Sequence, residues 1–124
     1  MYQEKPLRRH FEPFWWALFS TGGTLAALFL PVLIFLTGIA IPLGWIESPG
    51  YEKLSGLIHN LPIRIFIFSL ISLSLFHWAH RFRFTLYDGL QLKHLHGLIA
   101  VLCYGGAFTG TLMAGYILIM FSSN

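Results

Sequence analysis

Residues 13–46 read PFWWALFSTGGTLAALFLPVLIFLTGIAIPLGWI and contain no Asp, Glu, Lys or Arg. Two further apolar stretches cover residues 61–80, where Arg64 is the only formal charge, and residues 95–124, which carry none. A bilayer hydrocarbon core about 30 Å thick is crossed by roughly 20 helical residues. Each stretch is long enough, so the sequence predicts an all-α membrane protein with three transmembrane helices.

The composition agrees with a membrane environment. Of the 124 residues, 56% are hydrophobic and 10% are charged, whereas about 25% are charged in a typical soluble domain. We therefore expect residues 1–124 to form a single membrane domain. Its helices are predicted at about 13–44, 61–86 and 95–121.

Basic residues are unevenly divided between the two predicted sides of the membrane. Only Lys53 and Arg64 lie on one side, and six others flank the opposite side: Lys5, Arg8, Arg9, Arg81, Arg83 and Lys93. The excess of Lys and Arg on cytoplasmic segments predicts a cytoplasmic N-terminus and a periplasmic C-terminus. Because these charges flank membrane spans rather than form one tract, they do not indicate a nucleic-acid partner.

Candidate functional residues gather at the predicted cytoplasmic end. Trp16 and Phe19 begin helix one, while His77, His80 and Arg81 end helix two. An antiparallel pair of helices brings the two groups to one depth, and histidines three apart share a helix side. Polar residues just inside a span usually face the bundle interior or a cavity, which here would suit a head group with carbonyl oxygens. The alternative is an interfacial aromatic belt with topogenic arginines.

Several other functions lack a motif. The sequence has no H-E-x-x-H, no Gly-rich phosphate loop and no nucleophile elbow, which disfavours hydrolase and nucleotide chemistry. No acidic residue lies within the predicted spans, which disfavours ion-coupled transport. Haem ligation between His77 or His80 and His94 or His96 is a further possibility, although a histidine at the membrane boundary is more typically solvated.

Several short motifs follow one another along the chain: EPFWWALFSTGG at 12–23, Pro31-Val32, Gly38-x-x-x-Pro42-Leu43-Gly44, and His80-Arg81 followed by Asp88. Together they resemble the motifs of one family, the D subunit of bacterial fumarate reductase. The resemblance covers nearly the whole chain, with its three-span order.

The resemblance implies a hydrophobic, multi-pass membrane anchor subunit of a complex in the bacterial inner membrane. With a second hydrophobic anchor, the C subunit, it would attach a flavoprotein subunit and an iron–sulfur subunit to the cytoplasmic face. It would contribute to menaquinol oxidation in anaerobic respiration, with menaquinone bound at a shared interface. FAD and iron–sulfur clusters would belong to the partner subunits, and no haem, metal or catalytic flavin chemistry is expected in this chain.

By matching position, the resemblance implies a set of quinone-binding residues and no catalytic residue. The set comprises Trp16, Phe19, Ser20, His80 and Arg81. The chain departs from the family pattern after His80-Arg81, where Phe82, Arg83 and Phe84 replace a His-rich run. Arg83 and Lys93, with Arg8 and Arg9, are candidates either to dock the soluble subunits or to contact anionic lipid.

Two alternatives from other classes remain open. One is a haem b-containing anchor subunit of a succinate dehydrogenase. The other is a small structural membrane protein without a redox role.

Overall fold

The computed structural model describes residues 11–123, which fold into helices joined by short turns. In chain order they are α1 (Glu12–Phe35), continued by a π-helical turn (Leu36–Ala40), α2 (Tyr51–His59), α3 (Leu61–Gly89), a 3-10 turn (Lys93–Leu95) and α4 (His96–Ser123). Three of these segments are long and apolar enough to cross a membrane: Glu12–Ala40, Leu61–Gly89 and Lys93–Ser123. This confirms the predicted all-helical class with three such helices. Lys5, Arg8 and Arg9, used to predict the orientation, lie outside the described residues.

The helix boundaries follow proline and glycine chemistry. Pro13 and Pro62 lie in the first turns of α1 and α3, where a missing backbone N–H costs nothing. The first span ends at Ala40, short of the predicted boundary near residue 44, and Pro42, which has no backbone N–H to donate to the preceding turn, lies just beyond this end. Gly44 then adopts a φ of +72°, a conformation that glycine adopts without a side-chain clash.

The other two spans run slightly beyond the predicted bounds. The helix α3 continues to Gly89 and α4 to Ser123. The connection between the first two spans contains the short helix α2, which packs against α3 and α4. The spacing of Tyr51, Leu54, Leu57 and Ile58 is typical of such a helix.

The helix α3 is central, because it packs against both α1 and α4. Its contact with α4 is centred on four buried residues, Ala79, Ile99, Cys103 and Ala107. Most large apolar side chains of the three spans remain exposed on the isolated chain. Such a surface is expected where lipid or a partner subunit, and not water, surrounds the helices.

Glycines set the distance between the helices. A Cβ added to Gly22 would lie 2.5 Å from the backbone oxygen of Leu73, and one added to Gly110 would lie 2.9 Å from Cδ1 of Leu75. Close backbone approach at small residues is how membrane helices gain packing energy, since lipid supplies no hydrophobic driving force between them. By contrast, a Cβ added to Gly105 or Gly106 would meet no atom of residues 11–123 within 4 Å.

The Gly22 contact gives a test of the packing between α1 and α3. Gly22→Ala should destabilise the protein by about 1–3 kcal/mol, because its methyl group would meet backbone that cannot rotate away. Gly38→Ala is the control, since both glycines lie in the first span and the methyl group at residue 38 would meet no described atom within 4 Å. The measurement is the free energy of unfolding in mixed detergent micelles, and equal stability of the two variants would contradict the packing.

Candidate functional site

A cavity of about 460 Å³ lies between α1 and α3, at the end of the bundle where α1 begins. The helix α1 contributes Trp16, Phe19 and Ser20. The helix α3, which is the second long span, contributes His77, His80, Arg81 and Phe84. The cavity thus brings together all five residues predicted to bind quinone. Its lining is mostly apolar with a few polar groups, and its size is typical of small-molecule sites of about 300–1,000 Å³.

Helical spacing explains why these side chains line the same cavity. Residues three and four apart lie on one helix face, which places Trp16 beside Phe19 and Ser20. The same rule places His77, His80, Arg81 and Phe84 on one face of α3. Because α1 and α3 run antiparallel, the start of one face meets the end of the other.

Phe19 joins the two walls of the cavity. Its ring centroid lies 4.4 Å from that of the His80 imidazole, with an angle of 40° between the planes. Its backbone carbonyl accepts a hydrogen bond of 2.8 Å from Nδ1 of His77. One residue of α1 therefore contacts both histidines of α3.

The His77 ring lies directly on Gly23. A Cβ at residue 23 would come within 2.5 Å of Cε1 and 2.8 Å of Nε2 of the imidazole. The absence of a side chain at Gly23 therefore creates the space that this ring occupies. His77 and Phe84 were not among the predicted binding residues, although their spacing from Arg81 and His80 is the signal that places them on the same face.

The hydroxyl of Tyr104 on α4 contacts His80 from behind the cavity. The Nδ1 atom of His80 and this hydroxyl are hydrogen-bonded at 2.9 Å. The guanidinium carbon of Arg83 lies 5.2 Å from the Tyr104 ring centroid and 4.6 Å from that of Phe84, both within the range of cation–π attraction. Tyr104 and Arg83 thus brace the residues behind the cavity wall.

The candidate docking residues differ in their surroundings. The Nε atom of Arg83 is buried and has no hydrogen-bond partner among residues 11–123, so this side chain is directed inward. Lys93 lies on the surface and forms an ion pair of 3.2 Å with Asp88. Arg8 and Arg9 lie outside the described residues.

Trp15 provides a contrast to Trp16. It lines a separate, almost wholly apolar pocket of about 180 Å³ with Leu18, Phe19, Leu73 and Phe76. Adjacent residues on a helix point about 100° apart, so the two tryptophans face different surroundings. Only Trp16 belongs to the cavity that contains the histidines and Arg81.

The cavity combines aromatic walls, one cation and two imidazoles. Such a site can hold a planar ring by stacking and bind its oxygens by hydrogen bonds from Arg81 and an imidazole. Within residues 11–123 no group of three or more His, Cys, Asp or Glu side chains is placed to hold a metal ion. The arrangement fits a flat organic molecule that carries polar oxygens.

The pairing of His80 with Tyr104 can be measured by a double-mutant cycle. Tyr104→Phe and His80→Phe should each lower the free energy of unfolding, and the two effects should be non-additive by about 0.6–1.7 kcal/mol, as for interhelical hydrogen bonds in membranes. Simple additivity would show that the two side chains do not interact. Tyr116→Phe, on an exposed part of α4, serves as the control.

Comparison with known proteins shows which family this chain resembles. Residues 6–119 match the family model for the D subunit of fumarate reductase. The fumarate reductase D subunit of Mycobacterium tuberculosis strain H37Rv is 46% identical over 112 residues, which cover 90% of each chain. That of Photobacterium profundum is 34% identical, covering 86% of this chain and 89% of its own. That of Vibrio parahaemolyticus is 35% identical, covering 92% and 90%.

Proposed function

This chain belongs to the family of fumarate reductase D subunits, and we propose on that premise that it is a membrane anchor that forms part of a menaquinol-oxidising site. The family name implies a complex with other fumarate reductase subunits, and the three apolar helices make this chain a multi-pass membrane protein. In the proposed complex the chain pairs with the second anchor, the C subunit. Together they hold the iron–sulfur and flavoprotein subunits on the cytoplasmic face of the inner membrane.

Two features support the attachment. The isolated chain exposes large apolar side chains along all three long helices, a surface suited to a second hydrophobic subunit as well as to lipid. The basic residues Arg81, Arg83 and Lys93 concentrate at one end of the bundle, which fits the cytoplasmic side by the positive-inside rule. The soluble subunits would then lie at the end that carries the cavity.

The proposal for the quinol site depends on one observation. Five residues predicted from the sequence, in two groups about sixty positions apart on α1 and α3, line a single cavity. Trp16, Phe19 and Phe84 offer aromatic surface to a naphthoquinol ring, and Arg81 and His80 offer hydrogen-bond donors to its oxygens. The isoprenoid tail would leave between the apolar helix faces into the bilayer.

This chain would position the quinol, and its partners would take the electrons. Iron–sulfur clusters and FAD in the soluble subunits would pass them to fumarate. The residues of α1 and α3 would supply orientation, partial exclusion of water, and a positive charge beside the oxygens. The rest of the site would come from the second anchor and the iron–sulfur subunit.

A double variant tests the quinol site. In the assembled complex, Trp16→Ala combined with Arg81→Ala should lower quinol-dependent fumarate reduction at least ~100-fold, because it removes both a wall and the cation. Trp15→Ala is the matched control, since it removes the same side chain from the separate apolar pocket. Fumarate reduction driven by a dye that reduces the soluble subunits directly should be unchanged in all variants. Normal quinol oxidation by the double variant would refute the proposed site.

Purification tests the proposed partners and the absence of haem. Gentle solubilisation of the native membrane should yield this chain with a flavoprotein, an iron–sulfur subunit and a second anchor, identified by mass spectrometry. We expect no b-type haem band that depends on this chain. A haem absorption band that disappears in His77 or His80 variants would instead favour the succinate dehydrogenase type of anchor, and isolation without redox partners would favour a structural role.

A further inference from the structure

The hydrogen bond between His77 and Phe19 determines which nitrogen of His77 carries a hydrogen. A backbone carbonyl can only accept, so Nδ1, which lies 2.8 Å from the Phe19 oxygen, must donate. A neutral imidazole has one N–H. Its Nε2 therefore carries a lone pair and is an acceptor.

The same contacts hold the ring in place. Gly23 leaves space for the imidazole on one side, while the hydrogen bond attaches Nδ1 to the adjoining turn of α1. The ring lines the cavity together with His80 and Arg81. The imidazole that carries this acceptor nitrogen is thus one of the side chains that line the proposed quinol site.

His80 differs from His77 in this respect. The partner of its Nδ1 is the Tyr104 hydroxyl, which can donate or accept. The hydrogen bond to Tyr104 is therefore compatible with either tautomer of His80. Of the two imidazoles in the cavity, only His77 has a bond that requires Nε2 to be the acceptor.

We propose that His77 is a catalytic residue that accepts a proton from the quinol hydroxyl through Nε2. The inference rests on the proposed function, because it assigns a role within that same site. In this step the quinol O–H bond breaks, an N–H bond forms at Nε2, and the imidazole becomes imidazolium. The two electrons of the quinol pass to the iron–sulfur subunit as the oxidant.

The proton balance closes with one imidazole. After the first transfer His77 releases its proton to water at the mouth of the cavity, where Trp16 and Arg81 are exposed. It then accepts the second proton of the quinol by the same route. Throughout, Nδ1–H stays bonded to the Phe19 carbonyl, so the ring need not turn over between transfers.

The test compares His77→Asn and His77→Gln in the assembled complex. The Asn amide nitrogen can replace Nδ1 as the donor to Phe19, and the Gln amide can approach the position of Nε2, but neither amide is a proton acceptor at neutral pH. We expect both variants to lower kcat for quinol-dependent fumarate reduction about 100- to 10,000-fold, the usual contribution of a general base. The KM for quinol and the dye-driven rate should change little.

A variant that leaves His77 unchanged provides a second test. Gly23→Ala adds a methyl group where the imidazole now lies and should displace the ring, so kcat should fall with dye-driven activity intact. Added imidazole should restore part of the rate of His77→Ala, as expected for a lost base, and should not affect the Trp16→Ala, Arg81→Ala variant.

The outcomes separate this inference from the proposed function. If His77→Asn retains normal kcat while the Trp16→Ala, Arg81→Ala variant loses quinol oxidation, the role of His77 is overturned and the quinol site stands. If His77→Asn raises only KM, or lowers the dye-driven rate equally, the residue is structural and the inference fails. Normal quinol oxidation in all of these variants would overturn both proposals.

Discussion

The close approach of α1 to α3 at Gly22 and Gly23 is the constraint on which the rest of the structure depends. Gly22 lets the first helix lie against the backbone of Leu73, and Gly23 leaves room for the His77 ring. At this separation the Phe19 carbonyl oxygen comes within 2.8 Å of Nδ1 of His77, and the Phe19 ring lies tilted against the His80 imidazole. Larger residues at either glycine would move these groups apart, so packing and site geometry share one cause.

The opposite face of α3 gives the cavity a rigid support. Ala79, Cys103 and Ala107 bring α4 close enough for Tyr104 to reach His80. Arg83 lies against the aromatic rings of Phe84 and Tyr104 behind the wall, whose faces attract its positive charge. His77 and His80 thus both find hydrogen-bond partners on neighbouring helices, as the low dielectric of the bilayer favours.

The open cavity and the exposed apolar surface both indicate that this chain is incomplete without partner subunits. Trp16 is 70% exposed although it lines the cavity, so the site formed by this chain is open on one side. The long helices also leave most of their apolar surface uncovered within the chain. Both features fit the proposed complex, in which a second anchor and the iron–sulfur subunit would complete the enclosure.

Much of this arrangement could be predicted from the sequence, because membrane thickness and helical spacing are strong constraints. Long apolar stretches predicted the three long helices, and antiparallel order placed Trp16 near His80. The sequence could not show that His77 bonds to a backbone carbonyl, because such acceptors have no residue signature. Nor could it show that Arg83 turns inward to aromatic rings, since its charge is equally typical of a membrane flank. The first span was predicted to reach residue 44, and the π-helical turn at Leu36–Ala40 that ends it depends on local backbone geometry.

The most direct measurement is a cryo-electron microscopy map of the complete complex purified with its native quinone. We expect the density of a bicyclic ring between Trp16 and His80, with one quinone oxygen within hydrogen-bond distance of Nε2 of His77 or of Arg81. A lipid chain in the cavity, with the quinone bound away from α1 and α3, would contradict the claim.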